Sequence, residues 1–236
     1  MTVTLQTPGT TPRIVALVPM RHSSERVPGK NFRPLAGRPL YHHIVTSLLG
    51  SDRIDTVLID TDSPVIREDC AAAFPGVRLV ERPGHLRGGN VPMTEVLLHD
   101  VDQIEADFFL QTHSTNPLLK TATIDSAVDT MLAGAARHDS LFGVTRWHTR
   151  LYDAEGRPLN HDPSELLRTQ DLPPVFEENS NIYIFTAASL RRHRSRIGTS
   201  PIRFEIDRLE AVDIDDEAAF RLAEMLLNAG AAPAEL

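Results

Sequence analysis

Short apolar runs alternate with segments of helical spacing along the first two thirds of this chain, and that rhythm limits the fold more than any other feature. "RIVALVP", "DTVLIDTD", "VRLVE", "DFFLQTH" and "SLFGVTRW" read as strands. Between them, "PLYHHIVTSLLG", "SPVIREDCAAAF", "MTEVLLHDVDQI" and "TATIDSAVDTMLAGA" carry apolar residues at helical spacing. Pro39 sits at a first-turn position with Gly50 as a stop, and Ser63-Pro64 reads as an N-cap followed by proline at the first helical residue. Strand, helix, strand in succession predicts a mostly parallel sheet covered on both faces. Ligands of such sheets bind beyond the carboxyl ends of the strands.

The rhythm breaks at Trp147. Residues 147–178 are polar and rich in proline, and "LYDAEGRPL" reads as a hairpin turning at Glu155-Gly156. A stretch this long inside an α/β domain usually has a job, such as a lid or an arm. Afterwards "NIYIF" and "IRFEID" read as strands around a short helix, and "AVDIDDEAAFRLAEMLLNAG" as a strand turning into a helix. The expected organisation is one domain over residues 13–230, with a loose tail at 1–12 and another at the end.

The loop after the first strand, "VPMRHSSERVPGKNFRPLAGRPL", gathers four arginines and a lysine in a chain of net charge -8. The overall charge excludes a polyanion-binding role for the whole surface. A local basic loop at a strand's carboxyl end can still hold a small anion: Ser23, Ser24 and backbone amides can donate, while Arg21 and Lys30 supply charge. The alternative is a solvated loop with scattered charges. In "EAVDIDDEAAF", Asp213 and Asp215 would share a face if the segment is extended. Two convergent carboxylates suit Mg²⁺, although Asp215 can instead be the N-cap of the last helix. Asp60 and Asp62 of "DTD" admit a metal too, with a turn role for Asp62 preferred. Arg82, the Gly88-Gly89 pair, Gln111, His113, Thr115 and Asn116 follow strands and can approach a nucleobase or ribose; His113 can equally be a satisfied strand-end histidine.

Motifs of zinc hydrolases and Ser-His-Asp enzymes are absent. The one cysteine, Cys70, cannot form an internal disulfide and reads as a small buried hydrophobe, which fits a cytoplasmic protein. The beginning "MTVTLQTPGTTPR" lacks the apolar core of a signal peptide.

Taken together, the opening loop, "LIDTD", Arg82-Pro83, "TNPLL", "NSNIYIF" and "DIDDE" resemble, in order, the acylneuraminate cytidylyltransferases, over about residues 13–228. The resemblance implies a compact α/β nucleotidyltransferase domain with a mostly parallel, Rossmann-like sheet and an inserted dimerisation arm. It implies a Mg²⁺-dependent reaction in which CTP and the hydroxyl of a small acidic sugar give a CMP-sugar and pyrophosphate. Arg21, Ser24, Lys30 and Asn31 would grip triphosphate and ribose, Arg82 would lie near the nucleotide, Gln111 or His113 would contact the base, and Asp213 with Asp215 would bind the metal. The arm would complete a homodimer and contribute to the partner's sugar site, with Arg150, Arg168, Gln170 and Asn179 as acceptor-binding candidates. The chain departs from the family pattern at Glu25, at Gly89 or Asn90, and at Glu177-Glu178, where sialic-acid enzymes can carry an arginine for the sugar carboxylate. Kdo, another nonulosonic acid or a phosphonate are alternative acceptors. A GT-A-like glycosyltransferase using Asp60 and Asp62, or a non-catalytic nucleotide-binding module, are alternative functions.

Overall fold

The structure, a computed structural model, describes residues 11–24 and 26–231. The expected tail at 1–12 therefore lies mostly outside the described residues, as does Glu25. The chain begins with β1 (Ile14–Leu17), then folds a two-stranded ribbon, β2 (Pro34–Leu35) and β3 (Arg38–Pro39), into α1 (Leu40–Leu49). β4 (Thr56–Thr61), α2 (Pro64–Ala73), β5 (Arg78–Glu81) and α3 (Met93–Val101) follow, then β6 (Phe108–Gln111), α4 (Thr121–Gly134) and β7 (Ser140–Trp147). β8 (Val175–Phe185), α5 (Ala187–His193), β9 (Pro201–Glu205) and α6 (Glu217–Leu226) follow, with a last helical turn over Leu227–Ala231 among the described residues. The Ser63 side chain caps α2 by accepting from the Ile66 amide, with Pro64 at the first turn as its fixed φ allows.

The seven-stranded sheet has the order β5-β4-β1-β6-β8-β7-β9, and within it only β8 runs against the rest. Alternation along β1 shows why both faces must be covered. Ile14 and Ala16 join the core beneath α1, α2 and α4, while Val15 and Leu17 join the one beneath α3 and α5. The strand order reverses at β1, which has β4 on one side and β6 on the other. The loops leaving β1 and β6 thus part at their carboxyl ends and open a crevice.

A third apolar cluster seats the end of the chain on that crevice. Val27, Leu35 and Leu40 from the first loop pack with Leu118, Ile214 and Phe220. Residues 212–215, expected as a strand, make no sheet ladder; the Ile214 amide donates to the Thr115 carbonyl at 3.0 Å, and burial of Ile214 anchors the segment instead. Asp216, not Asp215, caps α6, its carboxylate accepting from the Ala219 amide at 2.8 Å. "NIYIF" is the end of a longer strand that begins at Val175 and pairs there with Trp147. The arm therefore leaves and re-enters the domain at one paired strand end, over residues 148–174. Its expected hairpin is a single bridge between Tyr152 and Pro158, with Gly156 at φ 78°.

Candidate active site

A cleft of about 620 Å³ lies at the carboxyl ends of β1 and β6. Val18 and Met20 continue β1 past its sheet partners, their amides bonding the Leu58 and Asp60 carbonyls. The chain then turns through Gly29, at φ 65°, into a helical turn over Lys30–Phe32. The left-handed backbone is one that glycine alone adopts without strain. Asn31 ties this loop down: its amide donates to the Arg21 carbonyl at 2.7 Å and its side-chain oxygen accepts from Ser114 at 2.6 Å. Asn31 thus holds the loop against the β6 side of the crevice, and its amide is occupied in doing so.

Arg21, Ser23, Ser24, Arg26 and Lys30 line the cleft, facing Asp213 and Asp215. The Lys30 ammonium donates to the Ile214 carbonyl at 2.6 Å, between the two carboxylates in sequence. Burial holds its pKa below the usual lysine value, and Asp213 and Asp215 partly restore it. Arg26 pairs with Asp215 at 2.7 Å, both exposed. Asp213 is the less solvated acid: burial, with Asp215 beside it, raises its pKa, while Thr115, Lys30 and Arg26 act the other way. Its Oδ1 atom is buried without a hydrogen-bond partner. A buried, unpartnered carboxylate oxygen beside a second carboxylate is a donor set that a hard divalent cation fits. Asp60 and Asp62, the other pair considered for metal, are engaged elsewhere: Asp62 accepts from the His22 amide at 2.7 Å and Asp60 pairs with Arg82.

Arg82, expected near the nucleotide, borders the cleft, with its guanidinium buried in that ion pair with Asp60. Beneath it, Asp60 Oδ2, both oxygens of Asp100 and His99 Nε2 are buried without partners. Ligand atoms of these three residues lie within 4.8 Å of one another. Burial and the Asp60 carboxylate push Asp100 well above the usual range. A proton shared between the two acids leaves two carboxyl groups, one arginine and no net charge; a divalent cation here would lie against the guanidinium instead.

The far wall of the cleft is built by Arg196, His113 and Ser180. Arg196 stacks over the Tyr183 ring at 3.5 Å and donates to Gln111 Oε1 at 2.6 Å. Gln111 is fully buried behind His113 and does not line the cleft. His113 Nε2 faces two donors, the Gln111 amide nitrogen at 3.0 Å and Arg196 at 3.4 Å. It must accept there, which puts the ring proton on Nδ1. Burial lowers the His113 pKa to about 3, and the Arg196 and Lys30 charges push the same way. Arg196 was not singled out from sequence. "RRHRSRIG" reads as a solvated helix end, and nothing in its spacing separates Arg196 from Arg191 or Arg194, which pair at the surface with Asp102 and Glu95.

The expected acceptor-binding residues do not line this cleft. Arg150 donates to the Leu167 carbonyl within the arm, Arg168 pairs with Asp171 at 2.6 Å, and Gln170 is exposed. Asn179 is buried, donating to Thr145 Oγ1 at 3.1 Å. A second hollow, of about 630 Å³, lies at the opposite, amino ends of β1 and β6. There the Arg13 backbone amide donates to Asp107, and Arg191 pairs with Asp102.

A CMP-N,N'-diacetyllegionaminic acid synthase of Legionella pneumophila is 28% identical over 230 residues, covering 92% of this chain and 97% of the relative. An N-acylneuraminate cytidylyltransferase of Streptococcus agalactiae is 24% identical over 87% of this chain, which spans about half of that protein (51%). Among solved structures, CMP:2-keto-3-deoxy-manno-octonic acid synthetase complexed with CTP superposes with a TM-score of 0.69 at 14% identity, covering 92% of this chain and 99% of that one; this likeness is one of fold. The cytidylyltransferase family model matches residues 15–231, from the first core strand through the last helix, and so takes in both the basic loop and the acidic pair. A match of that extent, over a cleft that opposes those two groups, means that the chain belongs to the cytidylyltransferase family.

Proposed function

We propose that the protein transfers CMP from CTP to a hydroxyl of a small acidic sugar of the nonulosonic type and releases pyrophosphate. The observation that carries this is the opposition of Arg21, Arg26 and Lys30 to Asp213 and Asp215 across one cleft. The 28% likeness to a CMP-sugar acid synthase over nearly the whole chain supports the acceptor class.

The acceptor oxygen attacks the α-phosphorus, a new P–O bond forms, the bond to the β-phosphate oxygen breaks, and the hydroxyl proton leaves to solvent. Arg21, Lys30 and the Ser23-Ser24 hydroxyls hold the triphosphate, and the cations offset charge that builds on the departing pyrophosphate. Asn31 keeps the loop in place for this. Asp213 and Asp215 are the residues that would hold Mg²⁺, which when bound supplies Lewis-acid activation of phosphate and hydroxyl. His113, neutral at physiological pH, presents a hydrogen-bond donor without adding charge. Gln111 acts through Arg196 and His113.

The same proposal includes a homodimer formed through residues 148–174. Leu159 and Leu166 of this arm are 62% and 94% exposed, large apolar side chains with no cover in one subunit. It also includes a place in the cytoplasm, in keeping with the single, buried thiol of Cys70. No helix among the described residues is long and apolar enough to cross a membrane.

The test is pyrophosphate release with Mg²⁺, each of the four nucleoside triphosphates, and a panel of nonulosonic acids, Kdo and phosphonates. Release requiring CTP together with one acid is the expected result. Release with a phosphonate alone would replace the acceptor class, and binding of CTP without release from any acceptor would overturn the proposal.

A further inference from the structure

The loop leaving β1 is tied to both strands that flank it. On the β6 side Asn31 holds it against Ser114. On the β4 side the ties run to the corner where β4 gives way to α2. Met20 bridges Thr61, the His22 amide donates to Asp62 Oδ1 at 2.7 Å, and His22 Nδ1 lies 2.9 Å from Ser63 Oγ. The His22 ring also stacks on Phe32, with centroids 5.4 Å apart and planes 25° apart, and so joins the start of the loop to the turn that follows Gly29. Arg21, Ser23 and Ser24 line the cleft; His22 and Asp62 do not.

Two of these ties meet on one peptide group. The Arg21 carbonyl accepts from Asn31 at 2.7 Å, and the N–H of the same peptide bond, that of His22, donates to Asp62. A planar unit gripped at both its oxygen and its nitrogen cannot turn over without breaking two hydrogen bonds, one of them to a carboxylate. Among the described residues no group accepts from the Arg21 guanidinium. Its direction is set from the backbone side.

We infer that Asp62 and His22 are positioning residues that lock the Arg21–His22 peptide and aim Arg21 into the cleft before CTP arrives. This rests on the proposed role of Arg21 in holding the triphosphate and adds the groups that prepare it. A loop already in its binding conformation has less freedom to lose, and apparent affinity falls in proportion as that conformation is less populated. The acceptor side of the cleft, with His113, Ser180 and Arg196, makes no contact with either residue, so the effect falls on the nucleotide.

The experiment is calorimetric titration of CTP with Mg²⁺ into wild type, Asp62→Ala, Asp62→Asn, His22→Ala, Arg21→Ala and the double variant Asp62→Ala/Arg21→Ala, with steady-state KM for CTP and for the acid alongside. Ser63 is unsuited to the test, because its hydroxyl also caps α2. Loss of a hydrogen bond to a charged acceptor predicts a rise of about 10-fold or more in the CTP dissociation constant of Asp62→Ala, with acceptor KM unchanged. Asp62→Asn keeps an oxygen that accepts from the His22 amide and should lie nearer to wild type. In the Arg21→Ala background the Asp62→Ala change should add little, because the group that Asp62 aims is gone; an anchor of purely structural effect would cost the same in both backgrounds. His22→Ala removes the stack and the bond to Ser63 but keeps the backbone bond, so it should weaken CTP by less. It carries the test, in its own cycle with Arg21→Ala, if Asp62→Ala does not fold. Unchanged CTP affinity, an equal rise in acceptor KM, or full additivity with Arg21→Ala would each overturn the inference while leaving the transfer reaction intact. The predicted pattern of CTP binding with no pyrophosphate released from any acid would overturn the transfer reaction alone, since the cycle is read by binding. Wild type that binds no CTP would take down both.

Discussion

At the scale of single residues, the cleft divides labour among groups that look alike in the sequence. Lys30 and Arg82 are both cations beside the cleft, yet Lys30 reaches between the acids while Arg82 is consumed by Asp60. Lys30→Ala should lower turnover by about 100-fold or more, the scale of removing one electrostatic donor; near-normal turnover would count against its role. Asp215→Asn should abolish Mg²⁺-dependent pyrophosphate release without a change in melting temperature, because Asp216 provides the cap of α6. Asp100 offers a test of a different kind. Its pKa is raised in the fold, so its contribution to stability is full below the unfolded value of about 3.9 and is lost as pH rises toward the folded value. Asp100→Asn can still donate to Asp60 and has no proton to lose. It should match or exceed wild type in stability at pH 7, whereas Asp100→Ala, which strands Asp60 Oδ2, should be destabilised by about 1–3 kcal/mol. Denaturant midpoints of the two variants decide this.

At the scale of elements, β8 matters most, because it alone in the seven-stranded sheet reverses direction, carries Ser180 to the cleft wall and sets Tyr183 beneath Arg196. Its register against β7 shifts between Phe142 and Val144. At that shift Gly143 leaves no room for a side chain: an added Cβ would lie 2.7 Å from Asn179 Oδ1 and 2.8 Å from Ile206 Cδ1. Gly143→Ala should destabilise by about 1–3 kcal/mol, read from the urea midpoint. Because the displaced Asn179 neighbours Ser180, which is held at φ 57°, acceptor KM should rise as well. The arm belongs to this scale too. Glutamate at both Leu159 and Leu166 should give monomers in sedimentation if these side chains form the subunit contact, and a dimer that survives would place the contact elsewhere.

At the scale of the whole molecule, two histidines link the site to acid stability. His43 is buried, its Nε2 donating to the Leu35 carbonyl while Nδ1 accepts from Arg38, and burial lowers its pKa to about 4. His113 behaves alike. For a base with a depressed folded pKa, stability is fully present above the unfolded value of about 6.5 and is lost as pH falls toward the folded one. Going from pH 7 to pH 5 should cost about 2 kcal/mol through His43 alone, and His43→Gln should narrow the difference between the two pH values by that much. The β-α-β order, the capping of α2, the basic loop and the acidic pair were all legible in the chain, because periodicity, caps and local charge are properties of neighbouring residues. The absence of a strand at 212–215 was not, since what holds Ile214 is an apolar cluster drawn from residues 27 to 227. Nor was the fate of the arginines. Arg82 and Arg196 differ from their surface counterparts only through Asp60, Tyr183 and Gln111, partners 22, 13 and 85 positions away. The sequence by itself determined the β-α-β order and which charges are available. Only the tertiary structure decided which charges are spent inside the fold and which are left facing the cleft, because desolvation and pairing depend on contacts that chain order does not encode locally.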